Sequence, residues 1–225
     1  MNWQVNQNCL VCKQSSSTLL CNYCTDDLDL FDCERFQHNL LLWPKVKRDL
    51  AKVKFPQILA LANYQWPISR LLTGLKFSAK LPNALALAAL FQQHCLTGLH
   101  SPPQAILPMP LHGSRYFSRK FNQSIELAKH ISKISGIPID SRIIKRSKAT
   151  QPQTNLTATQ RQKNLRNAFT LDNKASMQLR QYQHVALFDD VVTTGSTMSH
   201  AYELLHKYHP DLKIDVWSIC ITLTS

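Results

Sequence analysis

Apolar positions along this chain recur with two periods, and the alternation between them predicts its elements. Ala84, Leu87, Ala88, Phe91 and Cys95 share one face at helical spacing, with Pro82 placed to open the helix. Leu127, Ala128, Ile131 and Ile134 keep the same period, and Gly136 is placed to end that helix. Met198, Ala201, Leu205 and Tyr208 predict a further helix over 196–208. Three apolar runs, Ala105 to Met109, Val185 to Phe188 and Ile214 to Leu223, read as strands. Residues 57–80 mix a strand-like stretch with a short helical one that ends in Lys76 and Lys80. Strands alternating with helices predict an α/β class, with a mainly parallel sheet, helices on both faces and ligands beyond the carboxyl ends of the strands. No internal repeat is present. Residues 142–166 are polar, hold seven basic and no acidic side chains, and are expected to form a long mobile loop.

Composition narrows the organisation. A chain of 225 residues that is 44% apolar can bury one α/β core plus a small appendage. No run of eighteen apolar residues occurs, and MNWQVNQNC lacks a secretory signal's basic flank and apolar run, so a cytoplasmic protein without membrane insertion is expected. The net charge of +12 is unevenly placed. Residues 1–44 hold two basic and five acidic side chains, while residues 45–225 hold 24 basic and nine acidic. The charge reversal after Trp43-Pro44 predicts two units: a cysteine-rich module at 1–44 and the main domain at 45–225, entered through a basic connector over 45–56. Such an excess of positive charge points to anionic partners, a phosphorylated metabolite or nucleic acid.

Four of the seven cysteines, Cys9, Cys12, Cys21 and Cys24, form two CxxC pairs separated by eight residues. Two tight turns carrying four thiolates are the usual way to close a tetrahedral Zn²⁺ shell. With every position taken by sulfur, the metal's role would be structural. Cys33, Cys95 and Cys220 have no partner at ligand spacing and are expected to be buried. His206 and His209, near Asp211, read as surface histidines.

The most informative stretch is VALFDDVVTTGST, residues 185–197. A strand would deliver Asp189 and Asp190 to the sheet's carboxyl edge, and Val191, Val192, Thr193, Thr194, Gly195, Ser196 and Thr197 would lead into a helix start. Backbone N–H groups there, the helix dipole, a glycine and several hydroxyls suit a phosphate monoester. Two acids beside a phosphate make sense if they meet sugar hydroxyls or a hydrated Mg²⁺. A ribose 5-phosphate fits both halves. The five glycines, at 74, 98, 113, 136 and 195, allow neither a P-loop nor a dinucleotide fingerprint.

Residues 185–197 resemble the type I phosphoribosyltransferase fingerprint for phosphoribosyl pyrophosphate (PRPP). With PMPLHGSRYFSRKFNQ at 108–123, TQPQTNLTATQRQKNLRNAF at 150–169 and the cysteine module, the chain resembles the ComF family along nearly its whole length. In that family a small zinc module precedes a phosphoribosyltransferase domain, and members take part in handling transforming DNA in competent bacteria. The resemblance implies that Pro108, Met109 and Pro110, with Arg115 and Arg119, face pyrophosphate, and that Phe121, Asn122 and Gln123 match an RGFNQ block. Gln153, Leu156, Arg161, Asn164, Ala168 and Phe169 match a flexible-loop block, and Lys76 matches an LKY-type block. Two family glycines are replaced, by Lys120 and Ala79.

The implied chemistry is departure of pyrophosphate from C1 of the ribose, helped by Mg²⁺ bound with PRPP and by Arg115, Arg119, Arg161 or Lys163. No stretch builds a recognisable acceptor pocket, so PRPP binding is better founded than turnover. A second reading stays open, a non-catalytic module for single-stranded DNA or for competence proteins. Its carriers would be the basic runs at 45–54 and 142–166, with Trp43, Phe55, Tyr116, Phe117 and Phe121 nearby in sequence.

Overall fold

The computed structural model describes residues 7–78, 80–111, 121–146 and 168–224. Strands β1 (Gln7–Asn8) and β2 (Ser15–Ser16) pair antiparallel and are followed by helix α1 (Asn22–Asp26). A 3-10 turn at Leu40–Leu42 leads into helix α2 (Pro44–Asp49), so the basic connector begins as a helix. Pro44 stands in its first turn, where a missing N–H leaves no carbonyl unpaired. Next come β3 (Ile58–Asn63), α3 (Ile68–Ser78) and α4 (Leu81–Phe91), which widens into a π-helical turn at Gln92–Leu96. The remainder is β4 (Ala105–Pro108), α5 (Gln123–Ser135), β5 (Lys145–Arg146), β6 (Phe169–Thr170), α6 (Asn173–Leu179), β7 (His184–Val192), α7 (Ser196–Tyr208) and β8 (Lys213–Ile221).

The main sheet has the order β3-β8-β7-β4, with every pairing parallel. Its two central strands are β8 and β7, and their side chains are almost continuously buried, as a sheet covered on both faces requires. One core lies between the sheet and α3, α4 and α5. There Phe91 sits 5.7 Å from Trp217 and 6.1 Å from Phe188 between ring centroids. The opposite core joins Val46 of α2, Leu50 just after it and Phe55 to Met198, Ala201 and Leu205 of α7. The α/β class with a mainly parallel sheet and helices on both faces is as the periodicity predicts.

The cysteine-bearing segment is fastened to this sheet. Phe31 N–H donates to the Leu61 carbonyl at 2.9 Å, and Leu30 forms an antiparallel bridge to Ala62, which covers the outer edge of β3. Cys9, Leu20 and Cys33 enter the first core, as do Cys95 and Cys220, so the three cysteines without ligand spacing are buried as expected.

Two elements differ from their predicted form. Strand β7 runs four residues past Phe188, because β8 keeps pairing with it in register up to Val192 opposite Ile221. Ile134, expected inward on α5, is 43% exposed; periodicity specifies a face but not how far the neighbouring helix reaches along it. Gly136 does end α5, in the left-handed conformation at φ +77°. Among the described residues no helix is long and apolar enough to cross a membrane.

Candidate functional site

The longer β7 changes how the acids are presented. Asp189 and Asp190 stand on the strand rather than in the loop, with Asp189 opposite Ser218 of β8. Only Thr193, Thr194 and Gly195 remain to connect β7 to α7; both threonines are exposed and Gly195 is buried. Gly195 occupies the N-cap of α7 at φ +70°, a residue with no side chain of its own to cap the helix. Ser196 N–H donates to Thr194 Oγ1 at 3.4 Å, and the two hydroxyl oxygens are 3.0 Å apart. The loop therefore groups hydroxyls and first-turn N–H groups at one exposed point, the arrangement that suits an anion. Val191 is half-buried and Val192 lies in the second core, so their side chains serve packing.

Gly195 is required by more than its backbone angle. A Cβ built on it would lie 2.4 Å from Val53 Cγ1 and 3.4 Å from Phe55 Cζ. The basic connector thus packs directly behind the loop, and Lys54 N–H donates to Ser199 Oγ at 3.1 Å in the first turn of α7.

Each acid is held by a different element. Ser124 Oγ donates to Asp189 Oδ1 at 2.7 Å, and Asp190 N–H donates to the same oxygen at 2.9 Å. Ser124 is in place because Asn122 caps α5, accepting from Ser124 N–H at 2.9 Å and Ile125 N–H at 3.3 Å. The Asn122 amide also donates to the Met109 carbonyl at 2.9 Å, while Met109 N–H donates to the Phe188 carbonyl at 2.8 Å. Asn122 and Gln123 therefore act as a cap and a spacer that aim the next residue, Ser124, at the site, while Phe121 packs against the first core. Gln123 and Ser124 are 1% exposed. Asp190 is met from the other side by Lys76, whose Nζ lies 2.5 Å from Asp190 Oδ2. Burial and the adjacent Asp190 charge push the Asp189 carboxyl up to about 7, against the Ser124 and Asp190 N–H hydrogen bonds that lower it.

Arg115, Arg119, Arg161 and Lys163, with Lys120 and Ala79, lie outside the described residues. Lys76, at the end of its helical stretch and in a matching block, and Ser124, which no motif marks, are the side chains that touch the acids among the described residues. Nothing in their local sequence marks Ser124. A lysine closing an otherwise apolar helical stretch was the available signal for Lys76.

In the cysteine cluster, the Sγ atoms of Cys9, Cys12, Cys21 and Cys24 all lie within 4.8 Å of one another, and Cys12 Sγ is 3.7 Å from Cys21 Sγ. A tetrahedron with Zn–S bonds of about 2.3 Å has edges of about 3.8 Å, so the four sulfurs are at metal-binding separation. Burial raises the Cys9 thiol, but N–H groups of Cys21, Cys12 and Val11 outweigh it and bring the thiol down to about 6. Burial and the neighbouring cysteines push Cys24 up to about 12. Four thiols that cannot all lose their protons unaided are the donor set a dication would stabilise as thiolates.

No family model matches the chain. The DNA utilization protein YhgH of Salmonella typhimurium is 37% identical over 172 residues, covering 74% of this chain and 73% of the relative. YhgH of Escherichia coli strain K12 is 36% identical over 172 residues, with the same coverage. Competence protein F of Haemophilus influenzae is 41% identical over 117 residues, 52% of this chain and 50% of that one. Among solved structures, adenine phosphoribosyltransferase from Trypanosoma brucei, in complex with AMP, pyrophosphate and ribose-5-phosphate, aligns with 64% of this chain and 67% of its own at a TM-score of 0.36 and 12% identity. The enzyme from Leishmania tarentolae aligns with 76% of this chain and 94% of its own, at a TM-score of 0.34 and 13% identity. With more than a third of residues shared with DNA utilization protein YhgH over nearly three quarters of both sequences, and a 41% match to competence protein F over about half of each, the chain belongs to this ComF-like family.

Proposed function

We propose that this protein binds PRPP at the β7–α7 turn and takes part in the uptake or handling of DNA, a reading supported by relatives named for DNA utilization and for competence. The observation that carries the reading is the pairing of two acids with a phosphate-type loop on one strand end. Thr193, Thr194, Gly195, Ser196 and Thr197 would hold the 5-phosphate through N–H groups and hydroxyls. Asp189 Oδ1 accepts from Ser124 and Asp190 Oδ2 pairs with Lys76, and the two carboxylates would meet the ribose 2- and 3-hydroxyls with their other oxygens.

The same contacts speak against Mg²⁺ sitting directly on these carboxylates. The ion belongs instead with the ligand, where it would neutralise the pyrophosphate that PRPP carries. Cys9, Cys12, Cys21 and Cys24 would hold a structural Zn²⁺ beside the edge of β3, consistent with their mutual separations.

Calorimetry with PRPP and Mg²⁺ tests the site. Replacing both acids, Asp189→Ala with Asp190→Ala, is expected to abolish the binding heat while far-ultraviolet circular dichroism keeps its native form. Affinity unchanged from the parent protein would refute the assignment.

A further inference from the structure

Two carboxylates next to a phosphate monoester create a charge problem, and the fold contains an answer to it. Lys76 belongs to the last turn of α3, a helix whose Leu71, Leu72 and Leu75 are anchored in the core below. Its ammonium therefore reaches Asp190 from a packed element, and the two side chains are only 16% and 14% exposed. The Tyr64 ring lies 5.8 Å from the same ammonium, close enough for a cation–π attraction. Tyr64 is itself held at the sheet edge, its N–H donating to the Ile221 carbonyl at 2.8 Å. Carboxylate and aromatic ring together over-determine where the ammonium sits.

We propose that Lys76 is the built-in cation of this site, taking at Asp190 the place a divalent ion would otherwise take, so that ribose 5-phosphate binds without Mg²⁺. The inference rests on the ribose-phosphate reading given above, and it makes Lys76 a positioning residue for that ligand. A lysine ammonium has three donors, so one can serve Asp190 while the others turn to a ligand oxygen. Mg²⁺ is a poor competitor here: it requires near-octahedral oxygens and gives up its water reluctantly. Evicting Lys76 would also strand a mostly buried ammonium without its partner, an unfavourable state. Metal dependence would then arise only from ligands that bring a pyrophosphate of their own.

Titrating ribose 5-phosphate into the full chain by calorimetry, once with Mg²⁺ and once with EDTA, tests this directly. The parent protein should show the same affinity in both. Lys76→Met in EDTA should bind about tenfold to a hundredfold more weakly, the range of one charge-assisted hydrogen bond. Mg²⁺ should restore part of that loss, because Asp190 is then open to the ion. Lys76→Arg should remain independent of metal, and the partial rescue of Lys76→Met by Mg²⁺ is the readout that a purely structural role does not predict. If Lys76→Met fails to fold, the parent protein alone decides the matter. Binding that needs Mg²⁺ in the parent overturns the inference and leaves the ribose-phosphate site standing, whereas no binding under either condition overturns both.

Discussion

Replacing Gly195 by alanine separates two demands that the fold makes at one position. The residue sits at φ +70°, where a Cβ meets its own backbone, and an L-residue there costs roughly 1–2 kcal/mol. The new methyl would also lie 2.4 Å from Val53 Cγ1, inside any real contact distance. Valine is stiff about χ1, so relief requires the connector to move, an overpacking cost of roughly 1–3 kcal/mol. Gly195→Ala should therefore lose roughly 2–5 kcal/mol in all, a large share of the 5–15 kcal/mol typical of a folded domain. Urea unfolding followed by circular dichroism measures the loss, and Val53→Ala apportions it. In the Val53→Ala background the overlap is gone, so the cost of Gly195→Ala should fall to the backbone part, about 1–2 kcal/mol. A loss below about 0.5 kcal/mol, or an equal loss in both backgrounds, would refute the claim that the connector packs against the loop.

Asp189 predicts a pH dependence with a definite sign. Its carboxyl is near 7 when folded against an ordinary 3.8, so between those values the folded state holds the extra proton and stability falls as pH rises, levelling off above 7. Asp189→Asn removes that loss and should gain on the parent between pH 5 and pH 8 by about 1–3 kcal/mol in urea unfolding; a gain that shrinks with rising pH contradicts it. For the cysteine cluster, metal analysis of the parent protein should find about one Zn²⁺ per chain. Cys21→Ser should lose that metal and lower the thermal midpoint by ~5–10 °C, so full zinc content in the variant would exclude these four sulfurs as its ligands.

Much of the fold is written in short stretches of the chain. Helix α7 begins at Ser196 and ends at Tyr208 as its apolar spacing predicts, and Gly136 closes α5 in the left-handed conformation expected of it. Pro82 opens α4 from its first turn. Such features depend on residues within a turn or two of each other, where periodicity and backbone stereochemistry suffice. Where long-range partners enter, local reading loses accuracy. The extra length of β7 comes from β8, which lies some twenty residues on and continues the ladder to Val192. The exposed Ile134 likewise reflects where its neighbours stop.

The site divides along the same line. Sequence alone determined the loop's chemistry, two acids followed by threonines, a glycine and a helix start, and it determined four cysteines at metal spacing. Both are runs of adjacent or near-adjacent residues, whose side chains share a place however the rest of the chain folds. Tertiary structure decided which groups face those acids and which press on that glycine. Lys76 reaches Asp190 because α3 packs over the sheet, Ser124 reaches Asp189 because Asn122 caps α5 against Met109, and Val53 meets Gly195 because α2 brings the connector behind the loop. These partners are separated from the motif by 65 residues or more, and only burial of the two cores brings them within contact distance.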